Sequence, residues 1–264
     1  MNLFFAKTKI LTALLLIGAL LIVSMLLLKA VRSSSVVQQF RGRQTIESVL
    51  QKYGDQARIR LKARFEKASA TYPPAGLILL GLKAEKELQV YSLAAQSDSP
   101  RFVCSFPILG TSGVLGPKLR EGDKQMPEGL YRISELEPNT PYHVAMRVDY
   151  PNEFDKQMGK RDGRATLGGD IMIHGADCSI GCLAMGDPAA EELFVLVHDV
   201  GNDKTELIMS PFDFRHPPNG IDLPQVPEWI NGVYSQLKAK VKSLPSAVKS
   251  RNIAARTGAG AHKP

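Results

Sequence analysis

Cysteine is scarce in this chain: 264 residues contain three, Cys104, Cys178 and Cys182. Three thiols exclude the disulfide framework that staples small secreted domains, so the fold has to rest on a packed core. Acidic residues are outnumbered, 26 against 33 basic ones, for a net charge of +7. That balance suits nucleic acid, anionic lipid or an acidic polymer. No nucleic-acid motif accompanies it, and the cations are spread along the chain, so nucleic acid is not an expected partner. At 44% apolar and 22% charged residues, the composition is that of an ordinary globular domain with attachments.

Charge is absent from Ile10 to Leu28, 19 residues bracketed by Lys7, Lys9 and Lys29. At ~1.5 Å per residue such a helix crosses a hydrocarbon core of roughly 30 Å. The run exceeds the ~7–15 residues of a cleavable signal and no clean small-x-small site follows, which predicts an uncleaved anchor over residues 1–32. Arg32, Arg41 and Arg43 outnumber Lys7 and Lys9, against the positive-inside rule, yet a short tail before one span suits an N-in anchor.

Residues 33–74 open on Ser33-Ser34-Ser35, and from Phe40 to Ala70 they lack proline. Ile46, Val49, Leu50 and Tyr53 share one helical side, Gly54-Asp55 reads as a break, and Gln56 to Ser69 as a second helix. This predicts a helical stalk or docking pair, with a solvated helix leaning on the domain as the preferred version. Residues 75–215 are strand-rich: Leu77 to Leu82, Leu88 to Leu93, Phe102 to Leu109, Gly129 to Ser134, Tyr142 to Val148 and Thr205 to Met209. The first three read as a β-meander. Gly110 to Gly129 is a long loop of the kind that often carries function. A second loop, Tyr150 to Gly169, bears Lys156, Lys160, Arg161 and Arg164, cations able to hold a substrate carboxylate or simply to be solvated. Asp187 reads as the N-cap of a helix with Pro188 at its first position. In residues 216–264, Trp229, Ile230, Val233, Tyr234, Leu237, Val241 and Leu244 mark one face of a basic helix, for docking on the domain or for a membrane surface.

The chemistry gathers between Asp170 and Met185. Ile171 to Ile173 suits a short buried strand, which delivers His174 into Gly175; Gly181 then delivers Cys182. A cysteine acyl-transfer site needs a thiolate, an imidazole to take its proton, and backbone N–H groups facing an oxyanion. Gly175 and Gly181 permit the tight turns and close approach this requires. Buried cysteines and core histidines are also common without catalysis, so spacing alone leaves both readings open. His174, Cys178 and Cys182 are four apart and on a helix would share a face able to bind zinc. The glycines and apolar run argue for strand and turn, and no fourth ligand stands nearby, so no metal and no cofactor is expected.

His174-Gly175 followed by Ser179-Ile180-Gly181-Cys182 resembles the signature of the L,D-transpeptidase catalytic domain, the YkuD-type family, and most closely its YafK-like branch. Leu115-Gly116-Pro117-Lys118-Leu119 through Gly122-Asp123 to Pro127-Glu128-Gly129-Leu130-Tyr131, and Tyr150-Pro151-Asn152-Glu153-Phe154-Asp155, resemble the same branch. The resemblance covers about Gly76 to Arg215. It implies a mainly β fold with flanking helices, a YkuD-like β-sandwich or meander, here preceded by one N-terminal transmembrane helix and the helical stalk. It also implies a peptidoglycan enzyme in which Cys182 attacks a stem-peptide carbonyl, His174 takes its proton, and N–H groups near Gly181 and Cys182 hold the oxyanion. The broad family carries a histidine where Ile180 stands and an arginine soon after the cysteine that is missing here. The acyl-enzyme then has two fates: capture by an amine, which is transpeptidation, or by water, which is an amidase or hydrolase step releasing a wall-linked lipoprotein. An inactive wall-binding domain is the rival from another class.

The branch also carries a Tyr-His pair like Tyr142-His143, so His143 is a candidate second imidazole as well as a structural one. Ser179 either orients His174 or fixes the turn. The implied location is the inner membrane, facing the periplasm. In that oxidising compartment Cys182 must stay reduced, which leaves Cys104 with Cys178 as a structural pair, or Cys178 as a resolving thiol for Cys182.

Overall fold

Gly76–Leu82 (β1) contains no polar side chain, and every one of its positions is buried. In the computed structural model Leu77 and Leu79 enter one hydrophobic core while Ile78, Leu80 and Leu82 enter a second. A strand covered on both faces reads as an unbroken apolar run instead of an alternation. The structure describes Ser24, residues 43–218, Gly220 and residues 225–246; from Thr45 onward these belong to one compact unit. The apolar run from Ile10 to Leu28 lies, apart from Ser24, outside the described residues. Among the described residues no helix is long and apolar enough to cross a membrane.

Seven more strands join β1: Glu87–Ala94 (β2), Ser97–Pro107 (β3), Gly129–Thr140 (β4), His143–Val148 (β5), Met172–His174 (β6), Leu183–Ala184 (β7) and Thr205–Ser210 (β8). Their order is β3-β2-β1-β8-β4-β5-β6-β7. The expected meander is β1 to β3, but the strands make one eight-stranded layer, not two stacked sheets. β8, last in the chain, lies in the middle, parallel to β1 and antiparallel to β4. The layer curls until Gly110, just past β3, bridges Ala184 of β7. The Leu109 N–H reinforces this junction, donating to the Ala184 carbonyl at 2.8 Å.

Ile46–Val49 (α1) starts on a capping box between Thr45 and Ser48. The break expected at Gly54-Asp55 does not occur: a π turn, Leu50–Gly54, carries the helix into Asp55–Lys67 (α2). Gly54 serves packing instead, because a Cβ there would stand 2.9 Å from Nη1 of Arg58, whose guanidinium holds Asp199 at 2.7 and 2.8 Å. Asp199 belongs to Asp187–Val200 (α4), and so does the buried Glu192, which accepts from Arg60 at 2.7 Å and Arg64 at 2.8 Å. A buried carboxylate is tolerable only with such partners. Ala57, Leu61 and Phe65 fill the space between α2 and the core, so residues 46–67 are laid along the domain.

Glu153–Arg161 (α3) falls in what the sequence reading leaves as loop; Asn152 and Asp155 form its capping box, a signal legible at that spacing. α4 begins one residue earlier than its expected cap. Gly186 is the N-cap, and the Asp187 carboxylate turns to a different N–H. Ile230–Ser243 (α5) lays Ile230, Val233, Tyr234, Leu237 and Val241 on the second core, with Leu244 just beyond it. That apolar face is filled by the domain, which leaves none of it for a membrane surface.

Candidate active site

β6 and β7 run parallel, with Ile173 opposite Leu183 and His174 opposite Ala184. This register sets Cys182, the residue entering β7, beside the end of β6. His174 is 1% exposed, and its Nδ1 lies 2.6 Å from the Gly175 carbonyl oxygen. A carbonyl only accepts, so Nδ1 carries the hydrogen and Nε2 of the neutral ring is the acceptor. The Tyr142 ring covers the imidazole, centroids 4.7 Å apart and planes tilted by 31°. Gly175 has no space for a side chain: a Cβ would meet Asp187 Oδ1 at 2.6 Å and both His143 Cβ and the Tyr142 oxygen at 2.8 Å.

The Cys182 thiol donates to the Asp170 carbonyl at 3.4 Å. Burial raises this thiol above its ordinary value and the Asp170 charge adds to the rise, against the Met172 backbone N–H, the Lys118 cation and the Ser179 hydroxyl. Burial also lowers His174, with the Gly175 bond opposing. At rest both groups are therefore neutral, with the thiol turned to the Asp170 carbonyl. Ser179 Oγ accepts from the Cys182 N–H at 2.8 Å and donates to the Cys182 carbonyl at 2.7 Å. The Gly181 N–H donates to Ser112 Oγ at 2.7 Å, and Ser112 donates on to the Lys124 carbonyl. Gly181 sits at φ +95°, where a side chain is strained. Loss of both Ser179 bonds in Ser179→Ala is expected to cost about 1–3 kcal/mol of stability, read by urea unfolding. An unchanged midpoint would show that the turn holds without the hydroxyl.

The long loop that brings in Ser112 is anchored internally. Asp123 accepts from the backbone of Leu119, Arg120 and Gln125 and from Lys118 Nζ at 2.7 Å. At its base a buried Lys83 pairs with Glu128 at 2.8 Å and donates to the Gly116 and Met126 carbonyls. The other Glu128 oxygen accepts from Tyr234 on α5 at 2.6 Å.

Within this frame, residues 105–207 match a known family, described as the L,D-transpeptidase catalytic domain, YkuD. The matched stretch holds both His174 and Cys182. Among curated proteins, "Putative L,D-transpeptidase YafK" of Escherichia coli K12 is 33% identical over 135 residues, 49% of this chain and 52% of that protein. The O157:H7 protein of the same name gives the same figures. The chain thus spans about half the length of the curated relatives it matches. Among solved structures, the helical cell shape determining protein Pgp2 of Campylobacter jejuni has a TM-score of 0.41 at 27% identity, over 52% of this chain and 48% of that one. Bd1075 of Bdellovibrio bacteriovorus has 0.39 at 18%, over 65% and 56%.

Within the matched stretch, His174, Gly175, Ser179, Gly181 and Cys182 lie on the β6–β7 segment, and the Tyr142 ring covers His174. His143 turns the other way: its Nε2 lies 3.0 Å from Glu191 of α4, and the Tyr53 ring meets its edge at 4.9 Å. Ser179 binds the backbone of Cys182, and no bond from it to His174 is present. Arg164 is engaged internally, by Asp162, by the Leu119 carbonyl at 2.7 Å and by the Trp229 ring; Arg161 is exposed in the last turn of α3. Ile180, which takes the place of the family histidine, is 74% exposed.

The three cysteines are free, so the expected structural pair of Cys104 with Cys178 is not formed. Burial pushes the Cys104 thiol up to about 12, which makes it inert at neutral pH, while Cys178 is exposed. The stretch from His174 to Cys182 is strand and loop, so the shared helical face needed for zinc does not exist. Among the described residues no three His, Cys, Asp or Glu side chains group to hold a metal. Sequence reading misses Ser112, Asp187 and the Lys83–Glu128–Tyr234 junction, whose partners are distant in the chain; only the Gly-Pro punctuation of the long loop hints at the first.

Proposed function

We propose that the chain is a peptidoglycan-acting cysteine enzyme of the L,D-transpeptidase type. The observation that carries this is the tautomer of His174: Nδ1 is held by the Gly175 carbonyl, which leaves Nε2 as the ring's acceptor, on a strand paired with the one that Cys182 enters. In the proposed reaction the thiol proton moves to Nε2 as the sulfur attacks a stem-peptide carbonyl, forming a tetrahedral oxyanion. Collapse breaks the C–N bond, and Nε2 returns its proton to the departing amine, leaving a thioester on Cys182. An incoming amine completes transpeptidation; water completes hydrolysis. The Gly181 N–H is the oxyanion donor that withdrawal of Ser112 would release. The Cys182 N–H stays with Ser179.

Mass spectrometry of products from intact sacculi, for wild type and Cys182→Ala, tests the proposal. New cross-links or exchanged terminal residues lost in the variant support transpeptidation. Release of protein or peptide with water incorporated supports the amidase reading instead. Identical products from both proteins remove the cysteine mechanism.

A pH profile follows from the lowered His174. Protonation of Nε2 abolishes the acceptor, so the rate falls on the acid side. The midpoint of that limb is expected below the ordinary imidazole value of about 6.5, because the folded protein favours the neutral ring. Initial rates across about pH 5 to 9 check this, and a limb at or above the ordinary value would contradict it.

The uncharged run Ile10 to Leu28 supports an inner-membrane anchor with the catalytic unit in the periplasm, next to its proposed substrate. Labelling of the exposed Cys178 in intact spheroplasts by an impermeant thiol reagent tests this; protection until lysis would place the unit inside.

A further inference from the structure

The peptide between Gly175 and Ala176 is hydrogen-bonded at both ends. Its carbonyl holds His174 Nδ1 at 2.6 Å, and its N–H donates to Asp187 Oδ1 at 2.8 Å. The run is carboxylate, peptide, imidazole. Ala176 adopts φ +58°, a region unfavourable for a residue with a Cβ, and that conformation aims the two ends of the peptide as they are. Its own carbonyl is fixed by the Gly186 N–H at 2.7 Å, and the His174 carbonyl by the Met185 N–H at 2.8 Å. Thus the backbone leading into α4 holds both neighbours of this peptide, and the Asp187 side chain holds the peptide itself. The missing Cβ of Gly175 is what lets the carboxylate oxygen come within 2.6 Å of that position. Strain held by hydrogen bonds at a functional site is a recurring device.

We infer that Asp187 is a positioning residue for His174, orienting the imidazole and supporting its protonated form through the Gly175–Ala176 peptide. The inference rests on the proposed thiol–imidazole reading. A carboxylate on the N–H side polarises the peptide so that the oxygen facing Nδ1 becomes a stronger acceptor. Other charged or titratable groups surround the pair: Tyr142 over the ring, Cys182 with Asp170 and Lys118 near the sulfur, and His143, whose ring pairs with Glu191 and whose Cβ borders the same position at Gly175 as the Asp187 carboxylate. Of these, Asp187 is the one joined to the imidazole through a shared peptide.

The test reads Cys182 itself, without substrate. Alkylation by iodoacetamide is followed at Cys182 by peptide-resolved mass spectrometry, on the full chain in a Cys178→Ser background. Asp187→Asn retains an oxygen for the Ala176 N–H and removes the charge. It is expected to slow alkylation near pH 7 by about three- to tenfold, the effect of losing one partly screened charge. The deficit should shrink at ~1 M salt, and the His174 titration seen by ¹⁵N NMR should move to lower pH. Asp187→Ala should lose at least as much; if it fails to fold, Asp187→Asn decides alone. An Asp187→Asn protein with wild-type rates and wild-type titration overturns the inference, even if Asp187→Ala is slow. His174→Ala separates the two layers. If it leaves the alkylation profile unchanged, the thiol–imidazole reading falls; if it alters the profile while Asp187→Asn does not, only the role of Asp187 falls.

Discussion

His174→Ala should reduce turnover on sacculi by about two to four orders of magnitude, the usual contribution of a positioned general base. The size of the effect follows from the resting state. Cys182 is held as a thiol by burial, so little thiolate exists at neutral pH without a neighbour to receive the proton. His174 is the imidazole whose tautomer is set to do this, whereas His143 is engaged with Glu191. His143→Ala is therefore expected to cost far less turnover. Initial rates for the two variants, with thermal melting to confirm that both fold, decide the matter. Equal losses would mean that the roles of the two imidazoles have been wrongly divided.

Truncation after Val226 should leave no stable domain. Ile230, Val233, Tyr234, Leu237, Val241 and Leu244 are at most 8% exposed, and each buried side chain of this size contributes ~1.5–3 kcal/mol of transfer free energy. Together that is about 9–18 kcal/mol before entropy is subtracted, comparable to the ~5–15 kcal/mol net stability of a whole domain. The loss would also uncover Ile78, Leu80 and Ile208 on the sheet. Single changes divide the effect. Leu237→Ala is expected to cost about 2–5 kcal/mol, and Tyr234→Phe less, although it leaves a Glu128 oxygen without the hydroxyl that now reaches it at 2.6 Å. Urea unfolding of the three proteins checks the order. A soluble, cooperatively folding truncation would show that the outer sheet face tolerates water.

The proposed nucleophile and base and most of the strands were legible because they are local: His-Gly, Gly-Cys and short apolar runs announce themselves within a few residues, whereas the two-residue β7 leaves no such run. α5 was legible too, since its apolar residues recur at helical spacing, although the sequence could not say what they face. Asp187 was read as a helix cap because Asp-Pro at a helix start is a strong local signal. The structure sends its carboxylate across to Ala176 instead, a tertiary contact with no trace in spacing. Gly54 was read as a break for a similar reason; the space it leaves is used by Arg58 to reach Asp199, 141 residues later. Arg164 looked like a substrate cation because its partners, Leu119 and Trp229, lie far along the chain in either direction.

The central place of β8 has a consequence for synthesis. β1 and β4 each hydrogen-bond to β8 and not to one another, so until Thr205–Ser210 is made the meander and the strands around His174 and Cys182 meet only at the Gly110–Ala184 bridge. A nascent chain ending between residues 185 and 204 carries two half-sheets with the β1 and β4 rims exposed, the kind of species that chaperones guard. The cysteine and histidine are translated well before the strand that joins their half of the sheet to the rest, so assembly of the domain waits on a segment that contributes nothing to its chemistry.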